Sequence, residues 1–93
     1  MTKFEVLLSR TARRQLGAFS ADVTGRIKRR MKVLEDRPTL SRPGADIRML
    51  WGYDEPPMYR LRIGDYRILY FVMDDEVRVT EVLHRSKAYR GLD

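Results

Sequence analysis

Tyr59-Arg60-Leu61-Arg62-Ile63-Gly64-Asp65-Tyr66-Arg67-Ile68-Leu69-Tyr70 is the stretch whose reading decides the fold. Apolar and charged residues alternate on both sides of Gly64-Asp65, the period of a strand with one buried face. Glycine supplies the positive φ that a two-residue type II′ turn requires at its first central position. A tight hairpin there sets Ile63 opposite Tyr66, Arg62 opposite Arg67, Leu61 opposite Ile68 and Arg60 opposite Leu69. Tyr59, Leu61, Ile63, Tyr66, Ile68, Tyr70 and Val72 then form one apolar face, and Arg60, Arg62 and Arg67 share the other.

Working outward, Val77 to Leu83 reads as the next strand beyond an Asp74-Asp75 turn. Strict alternation adds Val77, Val79 and Leu83 to the apolar face and puts Arg78, Thr80, Val82 and His84 with the arginines. Glu81 falls on the apolar face by the same parity. It therefore lies at the sheet margin, pairs with a cation or is displaced by a bulge. Upstream, Ile47 to Trp51 reads as a brief strand, separated from Met58 by Gly52, Pro56 and Pro57.

The N-terminal half is helical after a short strand, Phe4 to Leu8. Ser9 is a helix cap, and Ala12, Leu16 and Phe19 follow at helical spacing. Ser20 offers a second cap, and Val23, Ile27, Met31 and Leu34 mark one stripe of a helix that ends before Pro38. Arg37 to Asp46, with Pro38, Pro43 and Gly44, reads as a loop. The order β-α-α-β-β-β-β predicts one α+β domain over residues 1–93, a mainly antiparallel sheet with both helices on one face.

The chain has 93 residues, 43% of them hydrophobic and 34% charged, the size and composition of one folded domain. It contains no cysteine and one histidine, which excludes disulfides, thiol catalysis and cysteine-based zinc sites, and no cofactor or metal is expected. No apolar run is long enough to span a membrane and the first residues do not resemble a signal peptide, so a cytoplasmic location is expected. Nineteen Lys and Arg against thirteen Asp and Glu leave +6, a balance that favours an anionic partner.

Two groups of cations stand out. Arg62 directly across from Arg67, with Arg60 alongside, is a like-charge cluster that costs stability unless something negative neutralises it. Loop carboxylates such as Asp54 or Glu55 would do so from within. A polyanion would do so from without, because guanidinium groups grip phosphate oxygens in bidentate fashion. Arg26, Lys28, Arg29, Arg30 and Lys32 line the helix opposite its apolar stripe, a basic face suited to RNA or the ribosome, and equally to a membrane surface or an acidic partner helix. His84, Arg85, Lys87 and Tyr89 follow the last strand, where polar side chains at a sheet end are free to bind.

The run Tyr59 to Tyr70, followed by His84-Arg85-Ser86-Lys87-Ala88-Tyr89, closely resembles the RelE/ParE toxin superfamily of prokaryotic toxin–antitoxin modules. In the RelE branch this resemblance implies a ribosome-dependent, metal-independent endoribonuclease that cuts mRNA in the A site, the ribose 2′-hydroxyl attacking the adjacent phosphate to leave a 2′,3′-cyclic phosphate. It implies Arg67, Arg85 and Tyr89 as catalytic residues. Arg67 and Arg85 would stabilise the phosphorane, and Tyr89 would orient the nucleotide or act as base, with His84 the other candidate for the proton. Arg60 and Arg62 would position the RNA backbone, with His84 and Lys87 nearby. It also implies a cognate antitoxin, expected on the basic helix and the exposed hydrophobes of the helical layer. ParE-like members are described instead as DNA gyrase poisons, and a basic module that only binds is the third reading.

Overall fold

The computed structural model describes residues 3–87. In chain order these form β1 (Glu5–Leu8), α1 (Arg10–Gly17), α2 (Ala21–Met31), a 3₁₀ turn (Lys32–Glu35), β2 (Asp46–Asp54), β3 (Pro57–Ile63), β4 (Tyr66–Met73), β5 (Glu76–His84) and a second 3₁₀ turn (Arg85–Lys87). The expected α+β architecture is present. The sheet runs β1-β5-β4-β3-β2, with β1 parallel to β5 and every other pair antiparallel.

Both helices begin where a serine can satisfy their first free amides. Ser9 Oγ accepts from the Ala12 N–H at 3.0 Å and Ser20 Oγ from the Val23 N–H at 3.3 Å. The second helix is shorter than its apolar stripe predicts, ending at Met31 before the 3₁₀ turn. Leu34 follows Met31 by three residues, the repeat of a 3₁₀ helix, and so stays buried under the altered winding. Arg37 then takes a left-handed conformation with φ 46° and the chain turns away.

Ile27, Met31 and Leu34 from the helical layer pack with Leu61, Ile63, Ile68, Tyr70, Val77, Val79 and Val82 of the sheet to form the main core. The β3–β4 register is the one the alternation predicts, including Ile63 opposite Tyr66 and Arg62 opposite Arg67. Gly64 carries φ 56°, the positive value the turn needs.

Strand β5 departs from strict parity. Tyr70 pairs with Val79 but Leu69 pairs with Glu81, leaving Thr80 as an extra residue in a β-bulge. Beyond it every side chain changes face. Val82 enters the main core, and Leu83 joins Leu50, Leu69 and Met58 in a second, smaller cluster on the opposite side. His84 stands opposite Tyr66, on the helix side. The assignments of Val82 and His84 to the arginine face and of Leu83 to the apolar face are thus reversed, because one inserted residue shifts a period of two by half. Glu81 leaves the apolar face by the same step.

The bulge is held in place by α1. Ser9 Oγ donates to the Thr80 carbonyl at 2.9 Å, so one hydroxyl caps the helix and anchors the bulge. Past the end of β1, Gln15 Oε1 accepts from the Val82 N–H at 2.7 Å and covers an edge amide of β5 that no strand reaches.

Strand β2 is longer than the sequence suggests and is irregular. Met49 pairs with Tyr59 and Asp54 with Pro57, so Leu50 to Tyr53 stand against Met58 alone. Leu50 turns into the second cluster, and Gly52 takes φ 84°. Trp51 is left 96% exposed, with Met49 and Tyr53 also exposed beside it.

Candidate functional site

The β2–β3–β4 surface opposite the helices carries Arg60, Arg62 and Arg67 together, as alternation requires. Their environments differ sharply. Arg62 is exposed and makes no ion pair among the described residues. Arg60 and Arg67 are each only 2% exposed.

Burial of a guanidinium demands acceptors, and the backbone provides them. Arg67 Nη1 donates to the carbonyls of Gly64 at 3.0 Å and Tyr66 at 3.2 Å, bracing the hairpin turn from inside. Arg60 Nη1 donates to the Asp46 carbonyl at 3.1 Å and to Asp46 Oδ1 at 3.2 Å. Among the described residues the carboxylate on Arg60 is therefore that of Asp46, the first residue of β2, and not that of Asp54 or Glu55. Sequence reasoning missed it because the loop before β2 contains no signal that sets the β2–β3 register. That register places Asp46 directly opposite Arg62.

Arg85 and Lys87 lie exposed in the 3₁₀ turn after β5. The Arg85 N–H donates to the Asp65 carbonyl at 2.7 Å and its Nε stands 3.7 Å from Asp65 Oδ1. Arg85 is thereby tied to the same β3–β4 turn that Arg67 braces, two residues beyond Arg62. Arg62 and Arg85 are thus exposed cations near that turn, with the buried Arg67 beneath it.

His84 stands apart from the arginines. Its ring meets Tyr66 edge-on at 5.2 Å, and Tyr66 in turn meets Phe19 at 5.0 Å. Nδ1 accepts from the Ser86 N–H at 3.1 Å, which assigns the ring proton of the neutral imidazole to Nε2. Tyr89, the expected base or nucleotide-orienting residue, lies outside the described residues. Arg26, Lys28, Arg29, Arg30 and Lys32 are all exposed, the first four on α2 and Lys32 just beyond it. Among the described residues no group of three His, Asp or Glu is placed to hold a metal ion.

Arg42, which the sequence did not single out, organises the loop between the helical layer and β2. Its guanidinium donates to four carbonyls, those of Val33 at 3.0 Å, Asp36 at 2.7 Å, Arg37 at 2.9 Å and Leu40 at 2.7 Å. Tyr70 fixes the same loop from the core by donating its hydroxyl to the Pro38 carbonyl at 2.6 Å. Burial holds the Tyr70 phenol well above its ordinary pKa, and the neighbouring Tyr59 adds to the shift against the opposing pull of Arg42 and Arg60.

Solved structures share this architecture. The chain is similar to RelE in an archaeal RelE–RelB complex from Pyrococcus horikoshii, at 25% identity and a TM-score of 0.75, covering 94% of this chain and 100% of that one. A chain of the RelB–RelE antitoxin–toxin complex of Methanococcus jannaschii aligns at 29% identity and a TM-score of 0.68, over 86% of this chain and 91% of that one. The fold recurs in the toxin–antitoxin complex RelBE2 of Mycobacterium tuberculosis, at 24% identity and a TM-score of 0.65, over 90% and 100% of the two chains. No curated protein sequence matches. The family model of the ParE toxin of type II toxin–antitoxin systems matches residues 6–89, nearly the whole length, and the chain therefore belongs to that toxin family of the RelE/ParE superfamily.

Proposed function

We propose that this toxin acts as a ribosome-dependent endoribonuclease that cuts mRNA in the A site by 2′-hydroxyl attack, and that a cognate antitoxin restrains it. The observation that carries the reading is the placement of Arg62 and Arg85 near the β3–β4 turn, exposed and beside a buried guanidinium that the turn's own carbonyls hold. Arg67 is buried against backbone carbonyls, which cannot swing aside to admit a phosphate as a side-chain carboxylate can. Its part in the proposal is to hold the turn, while Arg62 and Arg85 meet the scissile phosphate and its developing charge. Tyr89 remains the proposed base, and Lys87, on the exposed 3₁₀ turn after β5, is proposed to contact the RNA. Arg60 supports the RNA backbone from below, and His84, on the helix side, is better placed to set the start of the C-terminal turn than to touch RNA.

The antitoxin is proposed to lie along the helical layer, where a groove lined by Val6, Leu8 and Met31 carries Lys28 and Lys32 together with Glu35, a net positive rim. Opposite charge on the antitoxin would complement that rim. Arg26, Arg29 and Arg30 extend the basic surface for the ribosome once the antitoxin is gone.

Mapping 5′ ends on messages translated in the presence of the purified chain tests the proposal. Cuts that need ribosomes and fade in Arg62→Ala and Tyr89→Phe are expected, and growth arrest with intact messages would overturn it. A second reading is favoured by the family model itself, which is that of ParE. Loss of supercoiling activity by DNA gyrase, with no RNA cleavage, would establish that reading instead.

A further inference from the structure

Asp46 brings a half-exposed carboxylate onto the arginine face, bonded to a buried guanidinium. Arg60 is 2% exposed, whereas the Asp46 side chain bonded to it is 57% exposed. The contact involves one carboxylate oxygen and one guanidinium nitrogen, at 3.2 Å. That is longer than the roughly 2.7–2.9 Å of a strong charge-assisted bond, and the half-exposed carboxylate has water on its other side to turn into. The Asp46 backbone carbonyl holds the same nitrogen at 3.1 Å, so Arg60 keeps an anchor if the carboxylate leaves. Arg62, directly opposite Asp46 and on the same face, supplies a second guanidinium within one residue pair.

We propose that the Asp46 carboxylate stands in for a nucleic-acid backbone phosphate on Arg60, and that displacing it is a step in binding. Carboxylate and phosphodiester oxygens make the same kind of bond to a guanidinium, so both cannot hold Arg60 Nη1 at once. Asp46 then sets how tightly the arginine face binds a polyanion and keeps that face from holding phosphate indiscriminately. The inference rests on reading this face as a nucleic-acid surface and adds the residue that regulates it.

Asp54, at the far end of the same strand, provides the control, because Asp54→Asn makes the same change in charge without touching Arg60. Binding of a fluorescent single-stranded oligoribonucleotide, 2′-O-methylated against cleavage, is measured for the wild type, Asp46→Asn and Asp54→Asn over a range of salt. Asp46→Asn is expected to bind about fivefold more tightly than Asp54→Asn. Asp46→Ser should behave like Asp46→Asn, and adding Arg62→Ala should reduce the gain. Equal affinities for Asp46→Asn and Asp54→Asn would overturn the proposal.

Inorganic phosphate, titrated in parallel, separates the two possible sources of the anion. A gain with the oligonucleotide that exceeds the gain with phosphate supports a backbone ligand, whereas a gain confined to free phosphate overturns it. Neither measurement depends on cleavage. The binding difference without message cleavage would sustain this inference and sink the nuclease reading, and cleavage without the difference would do the reverse.

Discussion

Arg62 and Arg67 face each other directly across the β3–β4 pair, yet one is in solvent and the other is sealed against the carbonyls of Gly64 and Tyr66. A like-charge pair in that position ordinarily costs stability. Part of that cost is offset here by the turn, which directs two carbonyl dipoles at the buried guanidinium.

The two arginines should therefore respond to mutation in different ways. Arg67→Ala removes a buried side chain and leaves two carbonyls without their donor, which should lower stability by about 2–3 kcal/mol. Arg62→Ala should change it by no more than about 0.5 kcal/mol. Urea unfolding measures both. If the nuclease reading holds, Arg62→Ala still loses tenfold or more of its cleavage rate, about 1.4 kcal/mol in the barrier.

Ser9→Ala should destabilise the fold by about 1–2 kcal/mol, at or above the usual value for an N-cap. The same hydroxyl serves both the Ala12 amide and the Thr80 carbonyl. Hydrogen exchange should accelerate in α1 and around Thr80 together. Faster exchange in α1 alone would show that the bulge does not depend on this anchor.

Tyr70 predicts an alkaline limit. Its phenol is raised above the ordinary value near 10, so the folded state retains a proton that the unfolded chain releases. The stabilisation is whole below about pH 10 and is lost progressively as pH climbs from there toward the folded-state value. Stability measured from pH 8 to 11 should fall in the wild type. Tyr70→Phe should weaken that dependence while costing about 1 kcal/mol at neutral pH for the bond to Pro38.

Arg42→Ala should loosen the loop that leads into β2. Losing donors to four carbonyls should cost about 1–3 kcal/mol and speed amide exchange across residues 36–45. Arg42→Lys should recover only part of it, since an ammonium cannot reproduce the planar fork.

Much of the architecture is legible in local pattern. The helix caps at Ser9 and Ser20, the hairpin at Gly64-Asp65 and the pairing of Arg62 with Arg67 all follow from chemistry acting over a few residues. The departures share a cause. Thr80 reverses Val82, Leu83 and His84 because a bulge is invisible to alternation, and the hydroxyl bonded to its carbonyl, that of Ser9, lies 71 positions away in the chain. Asp46 reaches Arg60 only through a register between strands that no short-range signal sets.

The sequence by itself determined which residues alternate, where the chain turns and that guanidinium groups share one sheet face, since these follow from backbone periodicity and turn sterics. Only the tertiary structure decided that Arg60 and Arg67 are buried while Arg62 is exposed, that Asp46 brings a carboxylate to Arg60 and that His84 faces the helices. The physical reason is that burial and pairing are properties of the space between strands, and that space exists only once distant segments have come together.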